Sequence, residues 1–153
     1  LTLVYFFTIY LNVLVPENNK FKELTDYQTF ILENTEENES VFVINNGVAQ
    51  TYPALHQIKR WNSSPYLNHF PYNWGWSRSV GYKERVTSEP LPLVEEWKTR
   101  VGQSIQEIAP NLITITPYID YYLENTDFMN EYMADYQQVE ANDNFVAYKR
   151  INN

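Results

Sequence analysis

Two short runs of β-branched, apolar residues constrain this chain most: Val41-Phe42-Val43-Ile44 and Asn111-Leu112-Ile113-Thr114-Ile115-Thr116. Val41 to Ile44 does not alternate polar with apolar, so it must be covered on both faces, as a strand inside a parallel sheet is. Helices are the elements that cover such strands, and the intervening sequence supplies them. Residues 92–108 place Leu93, Trp97, Val101, Ile105 and Ile108 at steps of four and three, with Pro92 at the start and Pro110 beyond the end. Residues 18–34 repeat Phe21, Leu24, Tyr27, Phe30 and Ile31 at helical spacing, opposite Lys22, Glu23, Asp26 and Glu33.

The remaining elements follow from shorter signals. Residues 48–61 predict a helix with Val48, Tyr52, Leu55, Ile58 and Trp61 on one side and Pro53 in its first turn. Residues 64–70 predict a second strand, its ends blurred by Pro65 and Pro71. Residues 117–136 predict one helix with Tyr121, Tyr122, Phe128, Tyr132 and Met133 inward. Val139 and residues 145–148 predict a closing hairpin around Asn142-Asp143-Asn144. The alternation predicts an α/β domain of two or three layers, with a small Rossmann-like or flavodoxin-like, mainly parallel sheet and a C-terminal β-hairpin.

Residues 1–15 carry no charge and only three clearly polar side chains, Thr2, Thr8 and Asn12. As a helix they would span about 22 Å, short of the roughly 30 Å hydrocarbon core. They lack the basic start and small-residue cleavage site of a signal peptide. The expectation is a partial transmembrane helix: the C-terminal part of a span that begins upstream of Leu1 and stops at Pro16. A buried strand or core helix is the alternative. The division is thus residues 1–16 in the membrane and 17–153 as the soluble domain.

Composition then excludes whole classes of function. Eleven Lys and Arg against nineteen Asp and Glu give a net charge of −8, which disfavours a nucleic-acid partner and anionic lipid headgroups. With no cysteine there is no disulfide framework, thiolate nucleophile or thiolate metal site. The two histidines, His56 and His69, have no Asp or Glu at metal-ligand spacing, so no metal is expected. Glu33, Glu36, Glu37 and Glu39 read as a solvated turn. Neither a Gly-rich phosphate loop nor a GxSxG nucleophile is present, so no nucleotide cofactor is expected.

Two segments are candidate binding residues. Asn45-Asn46-Gly47 follows a strand at the place where α/β sheets bind ligands. Backbone N–H groups there would hold a phosphate or sugar hydroxyl; the plainer reading is a turn and helix cap. Tyr72, Trp74, Trp76 and Arg78 form an aromatic loop suited to stacking on a sugar, with Arg78 available to an anion. That loop would equally serve as packing against a membrane surface or a neighbouring domain.

Residues 105–150, from Ile108-Ala109-Pro110-Asn111-Leu112-Ile113 through Tyr122-Leu123, Phe128 and Tyr136 to the hairpin ending at Arg150, resemble the end of bacterial polytopic membrane glycosyltransferases. These are polyprenyl-phosphate-sugar-dependent enzymes of the GT-C type, similar to protein mannosyltransferases and aminoarabinose transferases. The start of the chain resembles them too: a last membrane helix, an amphipathic helix ending at Asn34-Thr35, an acidic turn and the strand Ser40–Ile44. The resemblance implies an accessory extracytoplasmic domain that is itself not catalytic, since the family's catalytic carboxylates lie near the start of the full protein. Its partners would be the membrane portion of the same polypeptide and a polyprenyl-phosphate sugar or glycan acceptor. Two other expectations stand beside it: a membrane-tethered carbohydrate-binding module using Tyr72, Trp74 and Trp76, and a free-standing small soluble enzyme.

Overall fold

A strand with no polar partner-face must sit inside the sheet, and β1 (Ser40–Ile44) does so, with Val41, Phe42, Val43 and Ile44 all fully buried. The computed structural model describes residues 25–45, 50–66, 69 and 92–151. In chain order the described elements are α1 (Asp26–Asn34), β1, α2 (Ala54–Gln57), β2 (Trp61–Asn62), α3 (Pro92–Ile108), β3 (Leu112–Ile115), α4 (Pro117–Glu124), α5 (Phe128–Tyr132), β4 (Tyr136–Ala141) and β5 (Val146–Arg150). The strand order is β2-β1-β3-β5-β4. β2 and β3 flank β1 in parallel, whereas β5 runs antiparallel to β3 and closes a hairpin with β4. The sheet is therefore mixed, with its parallel part at the β2 side and its antiparallel part at the C-terminal hairpin.

Strand alternation splits the core into two halves. Phe42, Ile44, Ile113, Ile115, Val146 and Tyr148 face a layer made by α3, α4 and α5 through Trp97, Val101, Ile105, Ile119, Leu123 and Phe128. Val41, Val43, Leu112, Phe145 and Ala147 face the other layer, supplied by Tyr27 and Ile31 of α1 and by Leu55 and Ile58. Three layers result, with the sheet in the middle. From β1 the chain passes over the α1/α2 face to β2, then over the opposite face through α3 to β3 on the far side. Opposite moves over opposite faces give both crossovers the same hand.

Local chemistry explains where the observed elements depart from expectation. The expected helix 48–61 shrinks to Ala54–Gln57, and Trp61 starts β2 instead. Tyr52 precedes Pro53, which disfavours a helical conformation at Tyr52, and Lys59 ends the turn with φ 54. The expected strand at 64–70 is displaced to Trp61–Asn62; none of its described residues is in a strand. The expected helix 117–136 is two helices, with Tyr136 already in β4. The break is local: the Asn125 side chain donates to Tyr121 O (2.7 Å) and Thr126 Oγ1 to Leu123 O (2.8 Å), while Thr126 Oγ1 accepts from Phe128 N–H (3.2 Å). Such side-chain bonds compete with helix continuation.

α3 keeps its expected bounds, but its buried side is centred differently. Leu93 is 53% exposed and Ile108 43%, while Val94 joins Trp97, Val101 and Ile105 inside. Steps of four advance about 40° around a helix, so a stripe centred on 97–105 leaves Leu93 at its margin. Of the expected inward residues 18–34, Tyr27 and Ile31 are buried and Phe30 packs at the edge. α1 opens on a capping box: Thr25 Oγ1 accepts from Gln28 N–H (3.2 Å) and Gln28 Oε1 from Thr25 N–H (3.1 Å). Residues 1–16, expected as a partial membrane helix, lie outside the described residues. Among the described residues no helix is long and apolar enough to cross a membrane.

Candidate crevice at the carboxyl ends of β1 and β3

The helix that follows β1 in sequence, α2, lies on the α1/α2 face, and α4, which follows β3, lies on the opposite face. Chains parting this way open a crevice at the carboxyl ends of the two strands, where open α/β sheets bind ligands. Asn45 follows β1 and Thr116 follows β3. The register pairs Ile44 with Ile115, and Thr116 N–H donates to Ile44 O (2.9 Å), so the two side chains come from adjacent positions on neighbouring strands.

Both are polar, and among the described residues neither side chain has a hydrogen-bond partner. Asn45 is 2% exposed, yet its Oδ1 and Nδ2 are without a hydrogen-bond partner among the described residues. Thr116 Oγ1 is in the same condition, although Thr116 occupies the cap position of α4 where a hydroxyl ordinarily bonds the first turn. A buried polar group left unpaired costs about 1–3 kcal/mol, so an amide and a hydroxyl left so side by side call for an explanation. Together they present a donor pair, an acceptor and a hydroxyl that can play either part.

A cleft of about 480 Å³ opens at the same end of the sheet, lined by Thr25, Asp26, Tyr27, Gln50, Ala54 and Asn144. Its position follows from the hairpin, because Asn144 lies in the turn that leads into β5, whose Val146 pairs with Ile115. Gln50 Nε2 donates to Asn144 O (3.0 Å) and ties the segment after β1 to that turn. The Tyr27 hydroxyl meets Thr114 Oγ1 (3.1 Å) beneath the cleft, and burial keeps the phenol protonated far above its ordinary range. Among the described residues that line it, Asp26 is the one carboxylate and none is Lys, Arg or His.

His69 is fully buried beside β1. Its backbone N–H donates to Asn45 O (2.9 Å), Nε2–H donates to Val43 O (3.0 Å), and Nδ1 accepts from Trp97 Nε1–H (2.9 Å). Burial pushes the imidazole down to about 4, so the ring is neutral and both nitrogens are used for holding β1 against α3. Among the described residues no group of His, Asp or Glu could hold a metal.

Asp120, in the first turn of α4, is the residue that sequence reasoning missed. Its carboxyl is buried and accepts from the Tyr148 hydroxyl (2.8 Å). Burial raises it to about 6, with Glu124 adding to the rise and the Tyr148 bond opposing it. An Asp near a helix start ordinarily signals an exposed dipole partner. The signal available was its place between Ile119 and Leu123, on the apolar side of α4.

Of the residues expected to bind, Asn45 is buried just past the carboxyl end of β1, at the register position next to Thr116 and outside the lining of the 480 Å³ cleft. Asn46, Gly47, Tyr72, Trp74, Trp76 and Arg78 lie outside the described residues. No protein-family model, no curated protein and no solved structure matches this chain.

Proposed function

We propose that the domain binds a neutral, hydroxyl-rich ligand of the sugar class in the crevice between the carboxyl ends of β1 and β3. The observation that carries this reading is the buried amide of Asn45, without a partner among the described residues, next to the equally unpaired Thr116 hydroxyl. An amide and a hydroxyl complement adjacent sugar hydroxyls, which donate and accept in turn. The lack of a cation among the described residues of the cleft lining and the net charge of −8 favour a neutral ligand over a phosphate or nucleotide. The β2-β1-β3 order of parallel strands supports a flavodoxin-like relation for this half of the sheet.

The resemblance to polyprenyl-phosphate-sugar transferases supports a setting for this activity. In that setting residues 1–16 complete a membrane helix, residues 17–153 lie outside the cytoplasm, and the domain holds acceptor sugar for a catalytic centre elsewhere in the polypeptide. Binding is tested by calorimetry of the chain with glucose, mannose and inorganic phosphate. The expected result is hexose binding without phosphate binding, weakened at least tenfold in Asn45→Leu and Thr116→Val. Both variants should also be more stable by about 1 kcal/mol, because each removes an unpaired buried polar group. Tight phosphate binding, or unaltered hexose binding in both variants, would overturn the reading.

A further inference from the structure

The geometry points to a second sugar contact on the β2 side of the domain, a stacking surface formed by Tyr52, His56 and Trp61, so that the ligand is a neutral oligosaccharide rather than a single sugar. This rests on the crevice reading and extends it.

Tyr52 is 57% exposed and Trp61 56%, the most exposed large apolar side chains among the described residues. Neither belongs to either half of the core. Their rings flank the imidazole of His56, with centroids 6.1 Å (Tyr52–His56) and 6.2 Å (His56–Trp61) apart. Aromatic rings ordinarily stabilise a fold by burial, so three left together at the surface suit a partner that stacks on them.

Charge narrows what that partner is. Lys59, next to the rings in sequence, is engaged by Glu37 (2.9 Å). Arg60 is buried, and its guanidinium donates to Thr35 O (2.7 Å), Thr35 Oγ1 (2.6 Å) and Ile58 O (3.1 Å). The Arg60 guanidinium is therefore committed within the fold, and Glu37 offsets the Lys59 charge beside the rings. The patch is also small and divided by a polar imidazole, unlike the continuous apolar core of a stable protein interface. Ring faces that meet C–H groups, with a phenol, an indole N–H and an imidazole at their edges that meet hydroxyls, match a pyranose.

The two sites share one wall. Gln50 and Ala54 line the cleft, while Tyr52 and His56, on the same segment, carry the rings. Trp61 pairs with Ser40 at the amino end of β1, whereas Asn45 follows its carboxyl end, so a ligand that reaches from the crevice to the rings runs the length of β1, about 17 Å, and must carry several sugars.

The test compares glucose with maltotetraose and cellotetraose by calorimetry, using the whole chain. At least one tetrasaccharide should bind several-fold tighter than glucose. Trp61→Ala and Tyr52→Ala should each weaken that tetrasaccharide roughly three- to tenfold, leaving glucose binding and the urea midpoint unchanged. Asn45→Leu should weaken glucose binding at least tenfold but leave residual tetrasaccharide binding that Trp61→Ala then removes. Tetrasaccharides no tighter than glucose, or unaltered by Trp61→Ala, would overturn the proposal. So would a change in sedimentation caused by Trp61→Ala without sugar and without effect on tetrasaccharide binding, which would mark a self-association contact. If Asn45→Leu changes nothing while Trp61→Ala still weakens the tetrasaccharide, the crevice reading alone falls.

Discussion

Asp120→Asn should stabilise the folded chain at alkaline pH and reveal a slope that the native protein conceals. In the fold the carboxyl binds its proton more tightly than in the unfolded chain, at about 6 against 3.8. Below 3.8 the group is protonated in both states and has no effect. As pH rises through this interval the unfolded chain ionises first, so stability falls and levels off above 6. The full displacement costs about 3 kcal/mol. Asparagine keeps an acceptor for the Tyr148 hydroxyl but adds two N–H groups, so a net gain of about 1–2 kcal/mol at pH 8 is expected. His69 acts in the opposite sense. Held at about 4 against 6.5, it is fully compatible with the fold above 6.5 and destabilises it as pH falls toward 4. The two slopes oppose each other in the native chain. Urea unfolding followed by circular dichroism at intervals from pH 4 to 8, avoiding the pI near 4.7, reads both. The variant should gain relative to the native chain by about 2 kcal/mol between pH 4 and 8. A loss of stability that is the same at every pH would refute the argument, because it would show that Asp120 acts through its bond to Tyr148 and not through its buried charge.

Three further substitutions test the packing of the helices on the sheet. Gly102 lies against the Tyr132 ring, where an added Cβ would overlap the ring carbons. Gly102→Ala should lose about 1–3 kcal/mol despite a gain of about 1 kcal/mol in helix propensity, and in a Tyr132→Ala background it should become stabilising, as urea midpoints would report. Thr25→Ala removes half of the capping box and should lose about 1 kcal/mol. Gln28→Ala should lose more, since Gln28 Nε2 also donates to Ala54 O (3.1 Å) and Gln57 Oε1 (2.9 Å) and so joins α1 to α2; thermal melts rank the two.

What local sequence could reveal depended on how much of each element its own residues determine. β1, β3 and α3 were legible because a fully covered strand reads as an uninterrupted β-branched run, and prolines marked both ends of the long helix. The closing hairpin followed from its asparagine-rich turn, where Asn142 Oδ1 accepts from Asn144 N–H (2.9 Å) and Phe145 N–H (3.1 Å). β2 was misplaced because two residues are too few to show a period, and its position is set by pairing with Ser40 and Val41. The split between α4 and α5 escaped notice because Asn125 and Thr126 look tolerable in a helix until their side chains turn back on its carbonyls. The crevice was half legible. Asn45 is marked by its place after a strand, whereas Thr116 joins it through the β1–β3 register, a pairing distant in sequence that no local pattern records.

The central claim concerns the side-chain amide of Asn45, and a ¹⁵N-resolved NMR titration with glucose observes that group directly. The account predicts that the Asn45 Nδ2 proton pair shifts progressively to saturation, together with the Thr116 backbone N–H, and that inorganic phosphate leaves both in place. An Asn45 amide unmoved by glucose, mannose or a neutral tetrasaccharide, or one that responds to phosphate alone, would contradict it.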